Sequence, residues 1–170
     1  MPELVVSQKI FAWNKVEMRN LATGEIVLCT ESKGLWLPGF LVYSKKHGIK
    51  ELSFTIKCRS VFPVTYQVLD VAGQDIGALT LEHWLAPIWR ICDSLNNSVS
   101  YTVRTGFFPS AAYEVKSEGR LICNIRQSSN LWITETFLSY PETEASPVSE
   151  PLILTLAILL SRPANGGAAG

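Results

Sequence analysis

Glu51-Leu52-Ser53-Phe54-Thr55-Ile56-Lys57 alternates apolar and polar residues without a break. Successive side chains of a β-strand point to opposite faces, so a strand here turns Leu52, Phe54 and Ile56 one way and the polar residues the other. The pattern predicts a strand with one face buried and one wet, and assigns those three residues to the core. Further along, Tyr101 and Val103 alternate with Thr102 and Arg104, and Tyr113 and Val115 with Glu114 and Lys116. Leu121, Cys123 and Ile125 alternate with Asn124 and Arg126, with Ile122 as the one interruption. The same rule predicts the apolar member of each set inward.

Turn chemistry separates these runs. Ala22-Thr23-Gly24, Asp70-Val71-Ala72-Gly73, Asp93 to Asn97 and Ser117-Glu118-Gly119 each fall between strand-like segments. Asp, Asn and Ser bond the local backbone there, and Gly accepts positive φ. Connections this short join antiparallel neighbours and leave no room for a crossover helix. Roughly ten to twelve strand candidates lie between Lys15 and Phe137, a number that favours an antiparallel barrel, closed or nearly closed, because closure removes exposed edges.

After Phe137 the character changes. Residues 139–150 hold Pro141, Pro147 and three glutamates and are expected to form a solvated linker. Ser149 suits a helix N-cap and Pro151 the first turn. A helix is expected over about 150–162, ended by Pro163. Its residues Leu152 to Leu160 are apolar on every side save Thr155, which requires surroundings of protein or lipid. A bilayer span needs roughly 20 apolar residues, so the helix is expected inside the barrel. The expected plan is a segment 1–14, one mainly β domain over 15–162, and a flexible tail over 163–170.

Composition fits that plan. Of 170 residues, 47% are hydrophobic and 18% charged, and 15 basic residues balance 15 acidic ones. Such a chain can bury a core, and it carries no global field that would draw it to nucleic acid. Cys29, Cys58, Cys92 and Cys123 are too far apart for a Cys-x-x-Cys clip and are expected as structural free thiols. Without a basic, apolar leader or a transmembrane segment, the expectation is an intracellular, cytoplasmic protein that meets membranes only at their surface.

Tyr66-Gln67-Val68-Leu69-Asp70, Gly73, and Asp75-Ile76-Gly77-Ala78-Leu79 form a strand, an Asp-x-x-Gly turn and a second strand. Trp89-Arg90-Ile91-Cys92-Asp93, Tyr113-Glu114-Val115, Gly119, Ile122 and the terminal apolar run follow in order. Over residues 52–162 this succession resembles the tubby C-terminal-like superfamily, which includes the tubby domains, the phospholipid scramblases and the LURP-one-related proteins. The resemblance implies a many-stranded barrel around a C-terminal helix. It does not extend to a transmembrane end, an acidic calcium loop or a phosphoinositide motif that can be matched residue by residue.

Little in the sequence points to catalysis. His47 and His83 are the only histidines, and no Gly-x-Ser-x-Gly elbow or His-x-x-x-His pair is present. Asp70 and Asp93 suit turn openings, Asp75 a turn closing, and Trp89 a core position. Trp36 and Trp84 are expected to plug a barrel end. No cofactor or metal is expected. The feature that concentrates charge is Lys45, Lys46, Lys50, Lys57 and Arg59, set against Glu51 alone, a net +4 over residues 45–59. Basic residues near an anionic membrane surface contribute about 1 kcal/mol each. The leading expectation is therefore a non-enzymatic binding or scaffold domain that docks a phosphoinositide-bearing membrane surface or a protein partner through this hairpin. A carrier holding a small apolar ligand inside the barrel is the alternative, and a small hydrolase the third reading.

Overall fold

The alternating runs pair with their chain neighbours and bend into a closed wall. In the computed structural model, residues 3–9, 15–33, 39–46, 48–83, 88–105, 111–129, 133–140 and 146–161 are described. The first six strands are β1 Leu4–Lys9, β2 Glu17–Asn20, β3 Ile26–Lys33, β4 Gly39–Lys46, β5 Ile49–Val61 and β6 Val64–Leu69. The next six are β7 Asp75–His83, β8 Ile88–Asp93, β9 Ser98–Thr105, β10 Ala112–Ser117, β11 Arg120–Ser129 and β12 Ile133–Ser139, and the helix α1 is Glu150–Leu160. Each strand pairs antiparallel with the next, and β1 pairs with β12 from Leu4↔Leu138 to Lys9↔Ile133, which closes the barrel. The first strand thus lies within residues 1–14, outside the domain limits that the sequence suggested. Its run Leu4-Val5-Val6 lacks alternation because Val5, opposite Phe137 and Arg19, is buried as well as the inward Leu4 and Val6.

The turns behave as their residues dictate. Glu118 and Gly119 both take positive φ (49° and 81°) between the paired Ser117 and Arg120, the two-residue hairpin whose twist matches its strands. Asp70 Oδ1 accepts the Gln74 amide at 2.7 Å, and Asp93 Oδ1 accepts the Leu95 and Asn96 amides at 2.9 Å.

Inside, α1 fills the barrel. Every residue from Leu152 to Leu160 is buried, and the helix packs most closely on β7, β12 and β6. Each helix end is tied to the wall by a hydrogen bond to one of the backbone groups that must find partners there. Asp93 Oδ2 accepts the Ser149 amide, and Gln127 Nε2 donates to the Leu160 carbonyl at 2.5 Å. Ser149 is the N-cap residue but caps with no side-chain hydrogen bond; its hydroxyl accepts from Asn96 instead. The expected linker is partly packed, since Val148 is buried and Tyr140 lies against the core. Arg162 and the tail lie outside the described residues.

Three strands depart from the expected faces. On β9 the pattern is inverted: Thr102 is 1% exposed and Ser100 fully buried, while Tyr101 and Val103 are 42% and 43% exposed. The inward Thr102 Oγ1 accepts the Trp89 amide at 2.8 Å, so a hydroxyl is needed on the inner face. On β5 the pairing register shifts between Val42↔Phe54 and Tyr43↔Leu52. The extra residue, Ser53, forms a bulge that puts Leu52 outside at 38% exposure while Phe54 and Ile56 remain core. On β11 a shift between Val115↔Cys123 and Lys116↔Leu121 makes Ile122 the extra residue, buried beside Cys123, and leaves Leu121 outward.

Candidate docking arm

The five basic residues belong to one hairpin but not to one cluster. Lys45 lies directly across from Lys50, and Lys46 across from Ile49, at the closed end of β4 and β5. Lys57 and Arg59 lie toward the other end of the 13-residue β5. Nine residues of extended chain separate Lys50 from Arg59, about 30 Å at a strand's rise. Arg59 is also engaged along the wall: its Nε donates to Gln67 Oε1 at 2.5 Å, and Gln67 Nε2 donates on to Asp75 Oδ1 at 2.9 Å.

The closed end of the hairpin outruns its neighbours. The β3–β4 ladder stops at Leu28↔Ser44, and the β5–β6 ladder stops at Thr55↔Leu69. Among the described residues, 45–46 and 49–54 therefore pair only within their own hairpin, a two-stranded arm extending past the rim. All five residues of β5 from Ile49 to Ser53 are exposed, on both faces of the arm. Ile49, at 64% exposure, stands beside the lysines, with Leu52 three residues on. Charge alone did not find this isoleucine. The usable signal was an apolar residue between Gly48 and Lys50, where a turn ordinarily takes polar ones.

Two lysines of the arm face each other, an arrangement that repels unless relieved. Lys50 resolves it by reaching back to the wall, where it forms an ion pair with Glu31 and lies 3.9 Å from the centre of the Tyr43 ring. The Lys50 ammonium holds the Glu31 carboxyl below the usual carboxylate range, and Glu31 raises Lys50 in return. Both groups are solvent-accessible, so the pair is weak and an anionic surface can compete for Lys50. Lys45 is exposed.

Elsewhere the described surface offers a shallow groove of about 450 Å³ over β11 and β12, where Arg126 and Phe137 lie near Glu3, Ser128 and Ser139. His83 is exposed at the end of β7. Asp75 is occupied by Gln67 and by the Ser94 hydroxyl. No group of three or more His, Cys, Asp or Glu among the described residues is placed to hold a metal ion, and no described helix is long and apolar enough to cross a membrane. All four cysteines are free; Cys123 is buried and the other three half-buried. Trp89 is core and packs against Tyr66 with ring centres 6.3 Å apart. His47, Trp36 and Trp84 lie outside the described residues. No protein-family model, curated protein or solved structure matches the chain.

Proposed function

We propose that this chain is a non-enzymatic binding module whose β4–β5 arm docks on an anionic phospholipid surface, phosphoinositide-bearing membranes being the natural target. The observation that carries the proposal is the arm itself, which holds lysines and an exposed isoleucine beyond the rim of the barrel. Cations attract the headgroups, and an apolar residue at the tip can enter the headgroup boundary. Three lysines at about 1 kcal/mol each come to about 3 kcal/mol, enough for reversible docking and far from permanent anchoring. The tubby-like resemblance implies a plan of strands and terminal helix and no headgroup motif, so the docking reading rests on the arm. The carrier reading has less support, since the helix occupies the interior that a ligand would need.

One observation favours a protein partner as the second reading: among the described residues, β5 from Ile49 to Phe54 has no strand beside it on the β6 side, an edge to which an extended peptide could add. Co-sedimentation with neutral and with phosphoinositide-containing vesicles, across a salt series, separates the two. Lipid docking predicts binding that needs anionic lipid, weakens with salt and disappears in a folded Lys45→Glu/Lys46→Glu/Lys50→Glu variant. No vesicle binding at low salt removes the lipid reading and leaves the strand edge.

A further inference from the structure

The tip that joins β5 to β6 is apolar where a turn ordinarily is polar. Val61, Phe62 and Pro63 are exposed in succession, Val61 at 59% and Phe62 at 95%. Turns favour Gly, Asn, Asp and Ser, and consecutive exposed apolar residues are a liability unless they serve a contact. Lys57 and Arg59, which the length of β5 separates from the arm, stand just behind this tip, both exposed. Arg59 Nε is taken by Gln67, but neither cation forms an ion pair among the described residues.

The backbone of the tip supplies its own hydrogen-bond partners. The Phe62 amide donates to Ser60 Oγ at 3.3 Å, and the Ser60 hydroxyl donates to the Phe62 carbonyl at 3.1 Å. Pro63 has no amide hydrogen, and its carbonyl accepts the Thr65 hydroxyl at 3.2 Å. A turn that stays in water does not require this, since solvent serves its donors and acceptors. A tip that leaves water does, because an unsatisfied backbone group is costly in an apolar medium.

Charge decides which apolar medium fits. Residues 39–69, which hold β4, β5 and β6, carry Lys45, Lys46, Lys50, Lys57 and Arg59 against Glu51, a net +4 (five minus one). Widened to β3 and β7, residues 26–83 keep +1 (six basic minus five acidic). The added carboxylates are engaged or distant from the tip. Glu31 pairs with Lys50, Glu82 lies 3.9 Å from Arg90, and Asp70 and Asp75 belong to the turn at the opposite end of β6. An apolar tip backed by cations is the anatomy of an interfacial anchor on anionic lipid.

We infer that the β5–β6 tip enters the headgroup boundary of the same anionic bilayer on which the arm docks, with Phe62 inserted and Lys57 and Arg59 on the headgroups behind it. The inference rests on the docking reading of the arm. β5 is common to both hairpins, so a membrane laid along its outer side meets Ile49 and Lys50 at one end and Phe62 at the other. Lys50 and Phe62 are about 40 Å apart at a strand's rise. The barrel then rests on this side, and two linked weak contacts reinforce each other.

Co-sedimentation with phosphatidylcholine vesicles carrying a phosphoinositide tests this. Phe62→Ser should lower the partition coefficient about fivefold or more with the melting temperature kept, because it removes most of the apolar area withdrawn from water. Phe62→Leu keeps an apolar tip and should bind within about twofold of wild type. The loss in Phe62→Ser should persist at high salt, which weakens only the cationic contacts. Headgroup-proximal spin-labelled phospholipid in bicelles of that composition should broaden wild-type amide signals at residues 49–52 and at Val61, Phe62 and Val64 alike. Broadening at the arm alone, or a Phe62→Ser chain that binds as tightly as wild type, overturns the inference and leaves the arm's docking standing. Vesicles that cluster on adding protein would put the two ends on separate bilayers and overturn it equally. No wild-type binding at low salt removes the arm's docking and the tip's with it. The bicelle map uses the wild-type chain and stays decisive even if a substitution at Phe62 disturbs the fold.

Discussion

The carboxylate Oδ2 of Asp93 accepts a 2.6 Å hydrogen bond from the backbone amide of Ser149, 56 residues further along the chain. The same side chain accepts from the Leu95 and Asn96 amides and from Asn96 Nδ2, and it is only 3% exposed. One buried anion thus closes the β8–β9 turn and fixes the helix entry, where negative charge also favours a helix N-terminus. Burial pushes its pKa upward, but the hydrogen bonds from Asn96 and Ser149 outweigh burial and bring it below the ordinary value.

Acid should therefore loosen the plug. A carboxyl whose folded pKa lies below its unfolded one contributes fully above the unfolded value, about 3.9, and loses that contribution as pH falls through the folded value. Asp93→Asn is expected to cost about 1–3 kcal/mol at neutral pH by leaving buried amides poorly matched. It should also flatten the fall in stability on the acid side. Urea unfolding of both chains across a pH series checks this, and an unchanged acid slope in the variant would contradict the assignment.

Gly77 on β7 lies against Leu152 of the helix. A Cβ there would collide with the Cys92 carbonyl oxygen and come within 3.0 Å of Leu152 Cδ1. The first obstacle is backbone and cannot rotate away, so Gly77→Ala should cost about 3 kcal/mol, the upper range for overpacking. A urea midpoint within experimental error of wild type would show that the wall can yield at this point.

What the sequence discloses depends on which forces act locally. Tyr113 and Val115 face inward as their alternation requires, and Asp70 and Asp93 open the turns that their side chains favour. The apolar helix had to be enclosed, and it is. Closure of the barrel was harder to locate, because the β1–β12 pairing joins residues more than a hundred positions apart and β1 lacks alternation. Register shifts are equally silent, since one extra residue reverses every side chain beyond it. The candidate site was half legible: Lys45, Lys46 and Lys50 share a tip, whereas Lys57 and Arg59 are carried away by the length of β5. The overrun of the arm follows from where the β3 and β6 ladders stop, and no local pattern marks that.

The bulge at Ser53 makes a direct prediction. Leu52 and Ile56 are four residues apart on one strand and would share a face without it. Leu52→Ala should change stability by no more than about 0.5 kcal/mol, as at an exposed site. Ile56→Ala, at a fully buried position, should cost about 2–5 kcal/mol. Equal losses in thermal or urea unfolding would place both residues in the core and remove the arm's exposed face.

Burial alone pushes the Cys123 thiol up to about 12. An unfolded cysteine ionises near 8.5, so the contribution of Cys123 to stability is intact below that value and declines as pH rises from it toward the folded value. In native protein Cys123 should be the last of the four thiols to react with a neutral alkylating reagent. In denaturant all four should react alike. Peptide mass spectrometry after timed labelling reads the order, and early labelling of Cys123 would mean that the core near β11 opens readily.

The inner face of β9 offers two hydroxyls in opposite circumstances. Thr102 Oγ1 accepts the Trp89 amide, whereas Ser100 Oγ, equally buried, has no partner among the described residues. Removing a buried hydroxyl that makes no hydrogen bond also removes its desolvation cost, so Ser100→Ala should be neutral or stabilising by up to about 1 kcal/mol. Thr102→Val keeps the shape but orphans a buried amide, and should cost about 1–3 kcal/mol. Thermal unfolding of the two variants is the check. Matching losses would mean that Ser100 is satisfied in solution, and matching neutrality would mean that Trp89 does not depend on Thr102. The second outcome would leave the inversion of β9 to be explained by its outer face alone.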